Sequence, residues 1–184
     1  MKYYSKKNII KVKNILINDQ RGGMFKYFNK KNFNTLSISF EIKEAQISYN
    51  KSKNIFRGFY MQTGKYNEAK LITLIEGKAI WFAIDLRIGS KDFGKVQGFK
   101  LTNDYTLFIP RGFAHGSFSL SKSKILIFAD NLYNFKNSIG INYQDKELKY
   151  QNFNLKNKIL IVSKTHRNFP SLNENLKKIN HFYK

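Results

Sequence analysis

The stretch over residues 70–86 constrains the fold most. Lys70-Leu71-Ile72-Thr73-Leu74-Ile75-Glu76 is a short apolar run, Gly77-Lys78 is a turn signal, and residues 79–86 form a second apolar run around Trp81 and Phe82. Short β-branched and aromatic runs bounded by a glycine turn predict an antiparallel hairpin. Further strands are predicted over 9–17 (at a sheet edge), 35–45, 55–62, 94–101, 106–109, 117–120, 124–129 and 157–162. Residues 19–23 and Asn103-Asp104 read as turns, 46–54 and 63–69 as polar loops, and 24–32 as a short helix or a loop. Residues 130–155 read as irregular. Leu176, Ile179 and Phe182 recur at helical spacing, which predicts a short helix over 173–182. Many short strands separated by glycine- and Asn/Asp-bearing turns make an all-β barrel or sandwich. There is no internal repeat and no linker, so residues 1–184 read as one domain.

Composition narrows the function classes. No run is long and apolar enough to cross a membrane. Met1-Lys2-Tyr3-Tyr4-Ser5-Lys6-Lys7 lacks the apolar core of a signal peptide. The chain has no cysteine, which excludes disulfides and thiolate metal sites. A cytoplasmic protein is the expectation. The net charge of +21 suggests an anionic partner, but the lysines are spread along the chain, which favours compositional bias over a dedicated nucleic-acid face. Of 33 basic residues, five are arginine: Arg21, Arg57, Arg87, Arg111 and Arg167. In a lysine-rich chain, arginine marks places that need a planar, bidentate donor, and the paired phosphates of a nucleoside diphosphate are a natural target.

Chemistry centres on Leu107-Phe108-Ile109-Pro110-Arg111-Gly112-Phe113-Ala114-His115-Gly116. A strand, a tight turn at Gly112 and a second flexible point at Gly116 would hold one imidazole rigidly at a barrel mouth; a histidine merely satisfied at a strand end is the alternative. His166 and His181, the other two histidines, lie in the tail, so neither a metal-binding set nor a cofactor is expected.

Ile109 to Gly116 resembles the Ile-Pro-x-Gly-Phe-Ala-His-Gly signature of the dTDP-4-dehydrorhamnose 3,5-epimerase family, sugar-nucleotide epimerases built on a cupin-type jelly-roll β-barrel. Asp19-Gln20-Arg21-Gly22 resembles that family's Asp-x-Arg-Gly. Phe56-Arg57-Gly58-Phe59-Tyr60-Met61-Gln62 resembles its Leu-Arg-Gly-Leu-His-x-Gln, and Lys70-Leu71-Ile72 its Lys-Leu-Val. Asp85-Leu86-Arg87 with Gly89-Ser90, Phe93-Gly94, and Gly140-Ile141 with Asp145 follow in family order. The likeness covers roughly residues 15–153, with 156–184 as a C-terminal tail and helix.

The resemblance implies a cupin-type jelly roll and a set of roles. Arg21 and Arg57 would hold the diphosphate of a nucleotide sugar, with Gln46 a polar residue of the site. Lys70 and His115 would stand beside the sugar and stabilise the enolate formed when a proton next to the C4 ketone leaves. Tyr60 stands where the family has its catalytic histidine, and Asp145 matches the acid that orients that histidine. Counted without a gap from Leu120-Ser121, Phe128 falls at the family's catalytic tyrosine, with Tyr133 a few residues beyond. On this resemblance the chain would be a divergent member lacking the usual histidine and tyrosine. The family's Arg-Gly-x-Phe-x-Glu becomes Arg21-Gly22-Gly23-Met24-Phe25-Lys26. Phe25 and Lys26 would meet the nucleotide, and the lysine leaves dTDP and GDP both open. The family also implies a homodimer in which an N-terminal strand reaches the neighbouring subunit.

Two readings follow. One is an epimerase acting at C3, C5 or both on a 4-keto-hexose or heptose, with Tyr60 as proton carrier, supplying a sugar for capsule or lipopolysaccharide. The other is a catalytically impaired homologue that binds a nucleotide sugar as a regulatory or partner protein. A basic nucleic-acid binder ranks below both, since no RNA-binding motif is present.

Overall fold

The computed structural model describes residues 8–156 and 158–182. In chain order the elements are β1 (Ile10–Lys13), β2 (Ile15–Asp19), β3 (Gly22–Lys26), α1 (Lys30–Thr35), β4 (Glu44–Asn50), β5 (Phe56–Gln62), β6 (Lys70–Glu76), β7 (Ala79–Asp85), β8 (Lys95–Lys100), β9 (Tyr105–Ile109), β10 (Phe113–Ser119), β11 (Ser123–Ala129), β12 (Ser138–Gly140), β13 (Lys149–Tyr150), α2 (Lys164–Arg167) and α3 (Leu172–Phe182). A five-stranded sheet runs β1-β9-β6-β11-β4 and a six-stranded sheet runs β12-β5-β10-β7-β8-β13, with β2-β3 a separate two-stranded arm. The chain is all-β, with the sheets of a cupin-type jelly roll and a C-terminal helix.

The predicted hairpin over 70–86 is where the fold departs from local reading. β6 pairs with β11 and β9, whereas β7 pairs with β10 and β8. The two runs lie in opposite sheets, and Gly77-Lys78 is the corner between them. Gly77 has φ +84, and a Cβ there would sit 1.9 Å from the Lys122 carbonyl oxygen, so the corner needs glycine. The physical reason is burial. All of β7 and most of β6 are buried, so each strand needs neighbours at both edges and packing on both faces. Lying in opposite sheets, the two strands turn Ile72 and Leu74 of one and Ala79, Trp81 and Ala83 of the other into a single apolar layer.

Three apolar layers hold the sandwich. Between the sheets lie Ile72, Leu74, Trp81, Leu107, Ile109, Ile125 and Ile127. Phe33, Ile38 and Phe40 cover the outer face of the five-stranded sheet over Leu71 and Phe108. Ile141, Leu148, Leu155, Leu172 and Ile179 cover the other outer face over Phe56, Phe59 and Phe82. Each fully buried Leu, Ile or Phe contributes about 1.5–3 kcal/mol, so the C-terminal segment is part of the core.

Other segments depart from expectation for stated reasons. The predicted strand over 9–17 is cut at Asn14, which is buried and donates through Nδ2 to the Asn103 carbonyl at 2.8 Å. β1 stays in the five-stranded sheet, while β2 leaves to pair with β3. The alternation over 35–45 is real, since Ile38 and Phe40 are buried, but they sit in an extended cover and the strand begins only at Glu44. The predicted loop over 46–54 contains most of β4. The predicted strand over 157–162 starts at a residue outside the described set; Ile161 makes a single parallel bridge to Ile55.

Candidate active site

A cavity of about 320 Å³ opens between the sheets, lined by β4, β11 and the start of β6 on one side and β5, β10 and β7 on the other. Its wall includes Gln46, Tyr49, Arg57, Tyr60, Lys70, Trp81, His115 and Ile127. The strand registers explain the convergence. Across the six-stranded sheet, Tyr60 faces His115 and His115 faces Ala83, while Arg57 faces Ser117 and Ser117 faces Trp81. Arg57 and Tyr60 are three residues apart, so a regular strand would send them to opposite faces. The register of β10 against β5 shifts between His115 and Gly116, opposite Gly58, and such a shift re-aims side chains. Gly58 has φ +127, and a Cβ there would lie 2.5 Å from the His115 carbonyl oxygen.

The cavity is graded from mouth to floor. Gln46, Tyr49 and Arg57 are exposed, Tyr60 is half-buried, and Lys70, Trp81 and His115 are buried. Arg57 is held by Nε donating to Asn50 Oδ1 and a terminal nitrogen donating to the Tyr49 carbonyl, both at 3.0 Å. Lys70 Nζ lies 2.8 Å from Glu68 Oε1, both side chains buried, and 6.0 Å from the Tyr60 ring centroid. Burial raises the Glu68 carboxyl above its ordinary range; Lys70 pulls it down, and Glu44 and Asp130 push it up. Burial first, and then the charge of Lys70, push the His115 imidazole well below its usual value, so it is neutral at pH 7.

Four predicted residues therefore meet at one cavity with Arg57: Gln46, Tyr60, Lys70 and His115. His115 sits within β10 rather than at a barrel mouth, because the buried row of β10 carries it between the sheets. Asp145 is placed apart from them. Its carboxylate accepts from the backbone N–H of Leu172 at the start of α3 and from that of Glu147, so it fixes the C-terminal cover and does not line the cavity. Tyr133 is exposed, with its N–H donating to Glu44, and it too lies outside the cavity wall. Arg21, Phe25 and Lys26 lie on the β2-β3 arm, away from this cavity; Arg21 is exposed and pairs with Asp19 at 2.6 Å.

The arginines divide in the same way. Arg87 pairs with Asp85 and Arg111 with Asp130, so their forks tie loops together, leaving Arg57 as the motif arginine that lines the cavity. On β11, Phe128 packs outward against the cover over the five-stranded sheet, while Ile127 lines the cavity. Strand alternation makes Ile127 the residue facing the site, and it has no proton to transfer. Nothing in the sequence marks Trp81 or His166 as site residues. His166 accepts from the Gly58 N–H at 3.4 Å, and its ring centroid lies 6.0 Å from that of Tyr60. Tertiary folding alone brings it there; no local signal marked it. Among the described residues no group of three or more His, Asp or Glu side chains is placed to hold a metal ion.

A family model described as dTDP-4-dehydrorhamnose 3,5-epimerase matches residues 6–174. The dTDP-4-dehydrorhamnose 3,5-epimerase of Salmonella typhimurium is 34% identical over 134 residues, covering 71% of this chain and 73% of the relative. That of Methanothermobacter thermautotrophicus is 32% identical over 162 residues, covering 85% of each chain. A crystal structure of the Bacillus anthracis enzyme, with TDP and PPi bound, superposes with a TM-score of 0.82 at 28% identity, over 90% of this chain and 94% of that one.

Proposed function

Because this chain belongs to the dTDP-4-dehydrorhamnose 3,5-epimerase family, an isomerase family, we propose that it binds a nucleoside diphosphate 4-keto sugar and epimerises a carbon beside the ketone. The observation that carries this reading is the meeting of Tyr60, Lys70 and His115 in one graded cavity with Arg57 at its mouth. The diphosphate lies against Arg57 and the sugar reaches the floor. The Tyr60 phenolic oxygen takes the proton from C3 or C5, its own hydroxyl proton passing to water. The C–H electron pair becomes the C=C bond of the enolate, and the carbonyl pair moves onto the C4 oxygen. An ammonium carries three N–H donors. Glu68 takes one from Lys70, which leaves others for that oxygen. Neutral His115 supplies a further polar contact. Water returns a proton to the opposite face, because Ile127 stands where a second side-chain carrier would face the ring. The product feeds a deoxy-sugar or surface-polysaccharide route.

TDP in the Bacillus anthracis structure supports thymidine as the nucleotide; Lys26, in place of an acidic residue, keeps GDP as the competitor to test. A pyrophosphate-bearing substrate does not cross membranes unaided, which supports action in the cytoplasm. Among the described residues no helix is long and apolar enough to cross a membrane.

The β2-β3 arm supports a homodimer. Ile17 and Met24, paired across the arm, are 50% and 64% exposed, an apolar surface fit to rest on a second copy. Arg21, Phe25 and Lys26 would then complete the neighbour's site. Light scattering is expected to give the dimer mass, and a monomer at micromolar concentration would remove this part of the proposal.

The direct test is incubation with dTDP- and GDP-linked 4-keto-6-deoxy sugars in deuterated water. Deuterium is expected at C3 or C5, with inversion there. A second reading, a nucleotide-sugar binder without proton transfer, is favoured by Ile127 in the wall and by Asp145 lying elsewhere. Binding with no deuterium uptake would establish it instead.

A further inference from the structure

Two polar atoms in the cavity wall, Trp81 Nε1 and His115 Nδ1, are buried and have no hydrogen-bond partner among the described residues. Trp81 is 4% exposed and His115 2%. Their rings stand 6.2 Å apart between centroids. They belong to adjacent paired strands, with Trp81 opposite Ser117, two residues along from His115, so both project to the same face of the six-stranded sheet. Native proteins rarely leave such groups unmade, and here both belong to side chains that line one cavity.

The chemistry of the two groups narrows what fits between them. An indole N–H donates and cannot accept, so its partner is an acceptor atom. Lys70, the nearby cation, is already paired with Glu68 at 2.8 Å. Burial keeps His115 uncharged. This floor therefore offers little net charge, which suits an uncharged oxygen rather than a phosphate or carboxylate. The exposed Arg57 at the mouth offers the opposite environment.

We propose that Trp81 is a specificity-determining residue, its indole N–H donating to a hydroxyl or carbonyl oxygen on the sugar ring while His115 contacts the same substituent. This rests on the nucleotide-sugar reading above and adds to it the group that selects the sugar.

Trp81→Phe keeps an aromatic ring in the wall and removes only the donor and part of the bulk. Calorimetric titration of wild type and variant with dTDP and with dTDP-glucose separates the two ends of the ligand. The expected result is dTDP affinity unchanged within twofold and dTDP-glucose affinity lowered about tenfold, or roughly 1.4 kcal/mol. Trp81 is the chain's one tryptophan, so wild-type emission reads the same contact without any variant. It is expected to shift with dTDP-glucose and not with dTDP. That measurement decides the matter if Trp81→Phe fails to fold. Equal binding of dTDP-glucose by both proteins, equal loss of both ligands, or an emission blind to the sugar would overturn the inference and leave the nucleotide-sugar reading standing. Wild-type protein that binds neither these ligands nor GDP and GDP-glucose would overturn both.

Discussion

Tyr60→Phe is expected to lower deuterium wash-in by about 10²–10⁴-fold, the usual contribution of a positioned acid or base. The substitution deletes one hydroxyl and keeps the ring that packs beside Lys70 and His166. Tyr60 is half-buried, so folding stability should change by less than about 1 kcal/mol, and nucleotide affinity should hold because Arg57 is untouched. The loss should fall on kcat with KM little changed, since the hydroxyl acts on the reacting proton rather than on the ligand's grip. Exchange measured by NMR on the 4-keto sugar, beside a melting curve and a dTDP titration, reads all three quantities. An undiminished exchange rate in Tyr60→Phe would move the proton carrier away from this strand.

Lys70→Met is expected to cost about 3–5 kcal/mol in stability and to abolish exchange. In the native protein Lys70 and Glu68 form a buried ion pair at 2.8 Å. Removing the ammonium leaves a buried carboxylate without its partner. Burial already raises the Glu68 carboxyl, and Lys70 is the group that holds it down. In the variant it rises further, so the folded state binds that proton more readily than the unfolded state. Stability of the variant is then fullest below the ordinary glutamate value of about 4.3 and is lost as pH rises through the raised folded value. The deficit should be smaller at pH 5 than at pH 8 by thermal or denaturant melting. Adding Glu68→Gln to Lys70→Met should recover part of the stability and none of the exchange. That outcome separates the cost of an unpaired charge from the loss of enolate stabilisation. A deficit that is flat with pH would mean that Glu68 is not the group left exposed to the change.

Much of this site was legible because its residues sit in contiguous strings. Arg57 to Gln62, Lys70 to Ile72 and Ile109 to Gly116 each carry enough local spelling to show the family and its jelly roll. The strands of the apolar layers were legible as well, since burial on a sheet face leaves a short apolar or alternating run. β4 was not. Its inner positions, Gln46 and Ser48, line the cavity instead of the core, so the strand reads as a polar loop.

The sequence by itself determined most of the apolar strands, an all-β fold, and that positions 60, 70 and 115 fall within one family pattern. The tertiary structure decided the partners. The 70–86 runs lie in opposite sheets because their inner faces, Ile72 and Leu74 on one and Trp81 and Ala83 on the other, join one apolar layer across the sandwich. Ile127 rather than Phe128 faces the cavity because alternation tells the two apart only once the faces are known. Asp145 caps α3, Arg87 and Arg111 bind neighbouring aspartates, and His166 arrives beside Tyr60. In each case the deciding contact crosses from one segment to another, and local propensity carries no information about which polar groups will be within reach when the sheets close.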